Sequence, residues 1–372
     1  MGRQRFFALK RCLGVLCLTL LQALWLSPVA AETELSGYYK NIFLRNGENL
    51  FAGNRLRLKF LVDFNQYVQA EIQYTNQLTF GQFPKIQTPL NTTNFFKTDQ
   101  VLLRADGLDW THSFYRAFVS FKLKNLDIVL GRQRIAWGTG RFWNPTDLLN
   151  PFDPTNIEGS ERTGVDALNL KLSTDRLSYL SWVGAPGPSF AESSLASRYH
   201  TTIGPHDLSL MTGKFKDSLV IGGDYAGSYQ GAGVRLEASY TLSPLKNFWK
   251  AVLSLDYQFS RLYLLGEYFY NGQGESDRRH YDLEGRLAGR IRNLGQNYLG
   301  TTLSYQLSPL MSLSGLALIN LNDGSCVLGP TLSYSMGPNT DLIFGLNAYL
   351  GLPETEFGRN SVLIFNQMQW SF

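Results

Sequence analysis

Charged and amide side chains crowd into one stretch of the chain, beginning at Gly131-Arg132-Gln133. Arg132, Arg134 and Arg141 come first, and Asp147, Asp153, Glu158, Glu161 and Arg162 follow. Folded into a water-filled cavity, two such flanks would set a transverse field that passes polar solutes and disfavours apolar ones. The same side chains could instead pair with one another and pin the stretch. A second pattern runs through it, because Asn144, Asp147, Asn150, Asp153 and Asn156 recur at every third position. On an extended helix of three residues per turn, which Pro145, Pro151 and Pro154 favour, these would share one face. Oxygen ligands on one face can hold calcium, with Asp147 and Asp153 as the charged members. Asn and Asp beside proline also cap turns by bonding to the backbone. The spacing matches no known calcium loop, so turn capping is the expectation and no metal is assigned.

Other groups invite similar weighing. Arg55, Arg57 and Lys59, with Arg116, Lys122 and Lys124, would form a basic wall if they face one lumen, and a basic wall favours anions. Asp63, Glu71, Glu237, Asp256 and Glu267 can face the same way and offset it through cross-strand pairs. Catalysis would need a nucleophile and a base. His112, His200, His206 and His280 are the histidines on offer; none lies in a recognisable nucleophile motif, so no enzyme and no cofactor are expected. The segment 272–297 is crowded with both charge signs, and Leu283, Leu287 and Ile291, four apart, could line one face of a short helix.

The elements that must position these groups read as β-strands. Leu56, Leu58, Phe60, Val62 and Phe64 alternate with Arg55, Arg57, Lys59, Leu61 and Asp63. Val68, Ala70, Ile72 and Tyr74 alternate with Gln69, Glu71, Gln73 and Thr75 after a turn at Asn65-Gln66-Tyr67, which makes a hairpin. Tyr115, Ala117, Val119 and Phe121 against Arg116, Phe118, Ser120 and Lys122 continue the pattern, and it recurs to the end. Segments of about ten residues, apolar on one side and polar on the other, suit a transmembrane barrel better than a soluble sandwich. Aromatic residues gather near segment ends, as Tyr38-Tyr39, Trp110, Trp249 and Trp370 show, and interface girdles have that character. Short turns at 65–67, 124–125, 174–175, 308–309 and 336–339 alternate with long connections at 76–110, 136–163, 271–297 and 351–360, so the two kinds fall at opposite ends. The expected fold is an all-β antiparallel transmembrane barrel of about 18 strands, with 16 the next choice.

The first residues hold Arg3, Arg5, Lys10 and Arg11, then an apolar run from Cys12 to Leu26, then Ser27-Pro28-Val29-Ala30-Ala31. That is a secretory leader, with cleavage expected before Glu32 and a single barrel domain over 32–372. Without those four leader cations, the 34 basic residues fall to 30 against 30 acidic ones, so no nucleic-acid partner is implied. Of three cysteines only Cys326 remains beyond the leader, which excludes a disulfide framework.

The closing run Ile364-Phe365-Asn366-Gln367-Met368-Gln369-Trp370-Ser371-Phe372 resembles the last strand of bacterial outer-membrane barrels, which their assembly machinery recognises; Asn366 departs from that pattern. Gly131-Arg132-Gln133, Trp137-Gly138 and the Asn-Pro and Asp positions that follow resemble a segment of several porin-like families of Gram-negative bacteria. Their members include outer-membrane channels and barrels serving polysaccharide or electron-transfer machinery. The resemblance implies an outer-membrane location, with lipid, lipopolysaccharide and the assembly machinery as partners and self-association allowed. The expected function is passive diffusion of small polar or charged solutes, with 136–163 as the constriction. The alternatives are a scaffold barrel that houses a partner and, third, a barrel hydrolase with His beside Ser or Asp at its lipid-facing rim.

Overall fold

Alternating segments joined by short turns can only pair with their neighbours, and each such ladder satisfies the backbone while sorting side chains to two faces. The computed structural model describes residues 31–81, 94–151, 154, 164–287 and 289–372. Its strands begin with β1 (Glu32–Asn46), β2 (Asn49–Asn65), β3 (Val68–Phe80), β4 (Gln100–Ala105), β5 (Leu108–Lys122) and β6 (Leu126–Gln133). They continue with β7 (Val165–Ser173), β8 (Tyr179–Ala185), β9 (Ser194–Ile203), β10 (His206–Phe215), β11 (Ser218–Tyr229) and β12 (Ala232–Leu242). The last are β13 (Phe248–Phe259), β14 (Leu262–Asn271), β15 (Asn297–Ser308), β16 (Met311–Asn320), β17 (Cys326–Gly337), β18 (Thr340–Leu350) and β19 (Leu363–Ser371). Every pairing is antiparallel between chain neighbours, β3 pairs directly with β5, and β1 closes on β19. The result is a closed barrel of 18 staves. The short β4 is an accessory: it pairs with Leu108–His112 of β5, beyond the point where β6 has ended.

The two faces of the wall differ as the alternation requires. Leu210, Ile221, Leu253, Leu303 and Phe344 are exposed on the outer face, whereas their polar neighbours Ser209, Ser254 and Asn347 are buried inside. Closure removes the free edges that an open sheet of this length would present. The strand ends at Phe80, Gln133, Asn271 and Leu350, from which the long connections depart, lie at one end, and the tight turns at 66–67, 204–205 and 338–339 lie at the other. The leader expected over residues 1–31 lies, except for Ala31, outside the described residues.

One strand departs from simple alternation. Gln73 pairs with Arg116 but Tyr74 pairs with Phe114, so Tyr115 is an extra residue in a β-bulge. Strict alternation would put Tyr115 on the face of Ala117 and Val119. The bulge instead turns its ring inward, 3.6 Å from the Arg57 guanidinium. In the segment 272–297 the helix α1 spans Leu283–Leu287, little more than one turn, and Leu287 is exposed rather than packed.

Candidate functional site

After Gln133 the chain leaves the wall and enters the barrel. Trp137-Gly138-Thr139-Gly140 curls so that five successive backbone N–H groups, from Thr139 to Trp143, point at carboxylates of the far wall. Glu237 of β12 accepts from Thr139, Gly140 and Thr146 backbone N–H groups and from the Thr146 hydroxyl, at 2.6–3.1 Å. Glu267 of β14 accepts from the N–H groups of Arg141, Phe142 and Trp143 at 2.6–2.9 Å. Consecutive N–H groups converging on an anion form a nest, a concavity that glycine makes accessible. Gly138 has φ +85, and a Cβ there would sit 2.6 Å from a Glu237 oxygen. Gly140 approaches the Trp143 carbonyl so closely that a Cβ would meet it at 1.9 Å.

Apolar contacts hold the loop on both sides of this clasp. Trp143 stacks on Phe269 with ring centroids 5.2 Å apart, inside a cluster with Phe142, Tyr298, Leu318, Val327 and Phe357. Ile135 and Trp137 pack with Phe215, Met211, Val183 and Ala196 on the inner wall of β8–β10. Residues 135–149 are therefore laid along one side of the lumen, over β8 to β17.

The Asn and Asp residues of this loop close turns. Asn150 accepts from the Ile135 N–H at 2.8 Å, and Asp147, buried, accepts from the Asn150 N–H at 3.2 Å. Among the described residues there is no group of three or more His, Cys, Asp or Glu able to hold a metal ion. Asp153, Glu158, Glu161 and Arg162 lie outside the described residues.

The three arginines part company. Arg132 pairs in register with Asp166, on the face that carries Leu130 and Leu168 rather than the lumen face of Ala167. Its Nε lies 2.9 Å from Asp166, and both side chains are about as buried as charges become, 3% and 5% exposed. Arg132 also donates to the Phe96 and Phe114 carbonyls and the Thr98 hydroxyl, while the Phe96 N–H donates to Asp166. The pair thus straps segment 94–98 across the gap left where β6 and β7 end, which takes Arg132 out of the lumen. Arg134 and Arg141 are exposed on the loop and form no ion pair among the described residues.

Across the lumen stands the basic wall. β2 is nine staves from β12, half-way round the circle. Arg55 donates to Gln77, Arg57 to Thr75, and Lys59 lies 3.6 Å from Glu71. Arg116 carries no ion pair among the described residues, and Lys122 and Lys124 are exposed at the short-turn end. The inner-wall acids are engaged: Asp224 with Arg198 at 3.0 Å, Asp256 with Arg235, and Glu237 and Glu267 with the loop. On the wall Arg55, Arg57 and Lys59 are engaged, and the acidic members of the expected opposition other than Asp147 lie outside the described residues.

Above the loop, Glu356 gathers the connections at the long-loop end. Its buried carboxyl takes hydrogen bonds from Arg286, the Leu294 N–H, Tyr298 and Asn320, and its own N–H donates to Asp323. Burial pushes this carboxyl above its ordinary range, and Arg286 and the other donors oppose that shift.

Among the described residues, the His–Ser pair that does form is not at the outer rim. His200 Nδ1 lies 3.0 Å from the Ser209 hydroxyl, but both are on the lumen face, and Asp207 is 4.0 Å from Nε2. Ser209 is buried and also accepts from Arg198, whose guanidinium is itself paired with Asp224, and the backbone N–H groups of β9 and β10 are committed to ladders. The roles of Glu237 and Glu267 were not legible beforehand beyond their inward facing. The signal was indirect: a glycine-rich loop of this length carries N–H groups that must find acceptors.

No protein-family profile matches this chain, and no curated protein sequence does. Solved structures do resemble it. OpdK of Pseudomonas aeruginosa, solved with vanillate, superposes with a TM-score of 0.60 at 8% identity over 92% of this chain and 98% of its own. OccD3 (OpdP) of the same organism gives 0.58 at 10% identity over 91% of each chain. OccD1 (OprD) gives 0.56 at 10% identity over 92% of this chain and 95% of its own. At such identities the likeness is one of fold: this chain has the barrel architecture of outer-membrane porins.

Proposed function

We propose that the chain is a channel of the bacterial outer membrane for passive diffusion of small polar or charged solutes, narrowed by the loop that follows Gln133. The observation that supports this is the double carboxylate clasp, which holds residues 139–146 against the inner face of the wall. Placed there, the loop reduces the open cross-section to the side lined by β1, β2, β3 and β5. Solutes pass between Arg134 and Arg141 on the loop and the basic wall opposite, so the passage favours anions over cations. Selection is by size and electrostatics, and no group is consumed. The apolar outer face and the leader-like amino end support export and insertion.

The test is single-channel recording of the refolded chain, residues 32–372, in a planar bilayer under a salt gradient. Steady conductance with an anion-selective reversal potential is expected, shifting toward cations in an Arg134→Ala/Arg141→Ala variant. A correctly folded but silent barrel would sink the reading, as would a variant whose reversal potential does not move.

A further inference from the structure

Of the four histidines, one faces the lumen. His112 of β5 and His206 of β10 share the outward face with exposed Trp110 and Leu210, and His280 lies exposed in the connection between β14 and β15. His200 of β9 faces inward with buried Arg198, and stands opposite Ser209 of β10 and Tyr179 of β8 in register. Its strand ends at Ile203, so it sits near the short-turn end of the lumen. Nδ1 lies 3.0 Å from the Ser209 hydroxyl, Nε2 lies 4.0 Å from Asp207, and the Tyr179 ring lies against the imidazole at a centroid distance of 4.8 Å. Ser209 accepts from Arg198, which leaves its hydroxyl hydrogen to be donated to Nδ1 and assigns the one proton of the neutral ring to Nε2, toward Asp207. A second proton, on Nδ1, requires only that the hydroxyl turn, since the Ser209 oxygen has another lone pair with which to accept.

The charges around this imidazole cancel. Those that bear on it are Arg198 of its own strand, Lys171 of β7, Asp207 of β10 and Asp224 of β11, while β8 contributes the uncharged Tyr179 and Ser181. Arg198 pairs with Asp224 at 3.0 Å, and the Lys171 ammonium lies over the Tyr179 ring at 4.1 Å. Beyond them, Lys122 of β5 stands opposite Asp127 of β6 in register on one side, and Arg235 of β12 pairs with Asp256 of β13 on the other. Two cations against two carboxylates leave the group neutral while His200 is neutral, and a proton on His200 makes it positive. The side chains of His200 and Asp207 are 19% and 50% exposed, so both meet the water of the lumen.

We propose that His200 sets how strongly the channel prefers anions: carrying its second proton, it turns a neutral stretch of the lumen positive, and losing that proton, it returns the stretch to neutrality. The proposal rests on the reading of the chain as a diffusion channel. A charge on the wall of a narrow aqueous path concentrates ions of the opposite sign beside it and depletes those of its own. An imidazole ordinarily titrates near pH 6.5, roughly, so the change falls within the range that a bacterial surface meets. At 0.01 M salt the screening length is about 30 Å, and one charge reaches across the lumen; at 1 M it is about 3 Å, and the reach is lost.

Reversal potentials of the refolded chain, residues 32–372, under a potassium chloride gradient test it, with heat-modifiable migration on gels reporting that each barrel is folded. Between about pH 7.5 and about pH 5 the chloride-to-potassium permeability ratio of the wild type should rise roughly two- to fourfold at low salt. His200→Gln should lose most of that rise, and His206→Gln, on the outward face, should keep it. His200→Lys should show the acid-side ratio at both pH values. Carboxylates elsewhere also begin to take protons toward about pH 5, and the residual slope of His200→Gln measures their share. If His200→Gln does not fold, the ratio of His200→Lys, unmoved by pH, is read in its place. A conducting wild type whose ratio does not move with pH, or a His200→Gln barrel that keeps the wild-type rise, overturns the proposal and leaves the channel reading standing. A rise that persists undiminished at about 1 M salt overturns it too, since a screened charge cannot cause it. A folded barrel that is silent at every pH removes the channel reading, and the proposal with it.

Discussion

Replacing Glu267 by alanine removes the acceptor for three backbone N–H groups, those of Phe142 and Trp143, which are buried, and that of Arg141, which is partly so. Each unsatisfied donor costs roughly 1–3 kcal/mol, and even the low end sums to about 3 kcal/mol for the clasp as a whole. The loop does not leave the wall outright, because Glu237 and the Trp143–Phe269 stack still hold it. The equilibrium between docked and lifted loop should nonetheless shift by roughly a hundredfold. Glu267→Gln is milder for a geometric reason. Oε1 accepts from both Phe142 and Trp143, so an amide oxygen placed there keeps two bonds and sets an N–H against the Arg141 N–H at the third. Two readouts follow the lifted population. Single-channel current should become noisier, with excursions to larger conductance, in the order alanine, glutamine, wild type. Trypsin cleavage after exposed Arg141 should accelerate by a comparable factor in the alanine variant, when reclosing outpaces cleavage. A folded Glu267→Ala barrel with wild-type noise and a wild-type cleavage rate would refute the claim that this carboxylate holds the loop.

Asp166→Ala should lower the thermal unfolding midpoint strongly, by about 3–5 kcal/mol of stability, because it leaves buried Arg132 unpaired, while reversal potential stays unchanged; a selectivity shift without destabilisation would return Arg132 to the passage. Gly300→Ala should destabilise by about 1–3 kcal/mol and disturb the loop, since its Cβ would come within 2.4 Å of the Phe142 ring; an unchanged melting profile would show that the ring has room to move. For Glu356 the folded pKa is raised from 4.5 by burial, so its contribution is complete below that value and is lost as pH climbs through the folded pKa. Hydrogen exchange at the Leu294 N–H, corrected for its intrinsic rate, should therefore speed up as pH rises above the ordinary carboxylate range, and Glu356→Gln should flatten the trend; protection that grows with pH would contradict the sign.

The wall was legible because its periodicity is enforced residue by residue: a stave with Arg55, Arg57 and Lys59 on one side and Leu56, Leu58 and Phe60 on the other admits one register only. Turn length was legible for the same reason, and it separated the two ends. The bulge at Tyr115 was not, because inserting one residue leaves no trace in a pattern that reads equally well with either parity. The loop's charges misled in a different way. Arg132 lies one residue from the break in the strand, and whether it points to lumen or exterior depends on which strand position is the last to pair. Glu237 and Glu267 looked like ordinary inward acids, since the N–H groups they serve are far away in sequence and carry no side-chain signature.

That distance bears on how the barrel is made. The six N–H groups that the two glutamates hold lie 91 to 126 residues upstream of their acceptors. When β6 and β7 first pair, the stretch between them has nothing to bind, and it must wait until β12 and β14 are in place. Contacts of such long range form late, after the entropy of closing the intervening chain has been met. The lumen therefore narrows last, when more than half the staves already stand, and an assembly arrested before β14 would be a wider and more hydrated object than the finished barrel.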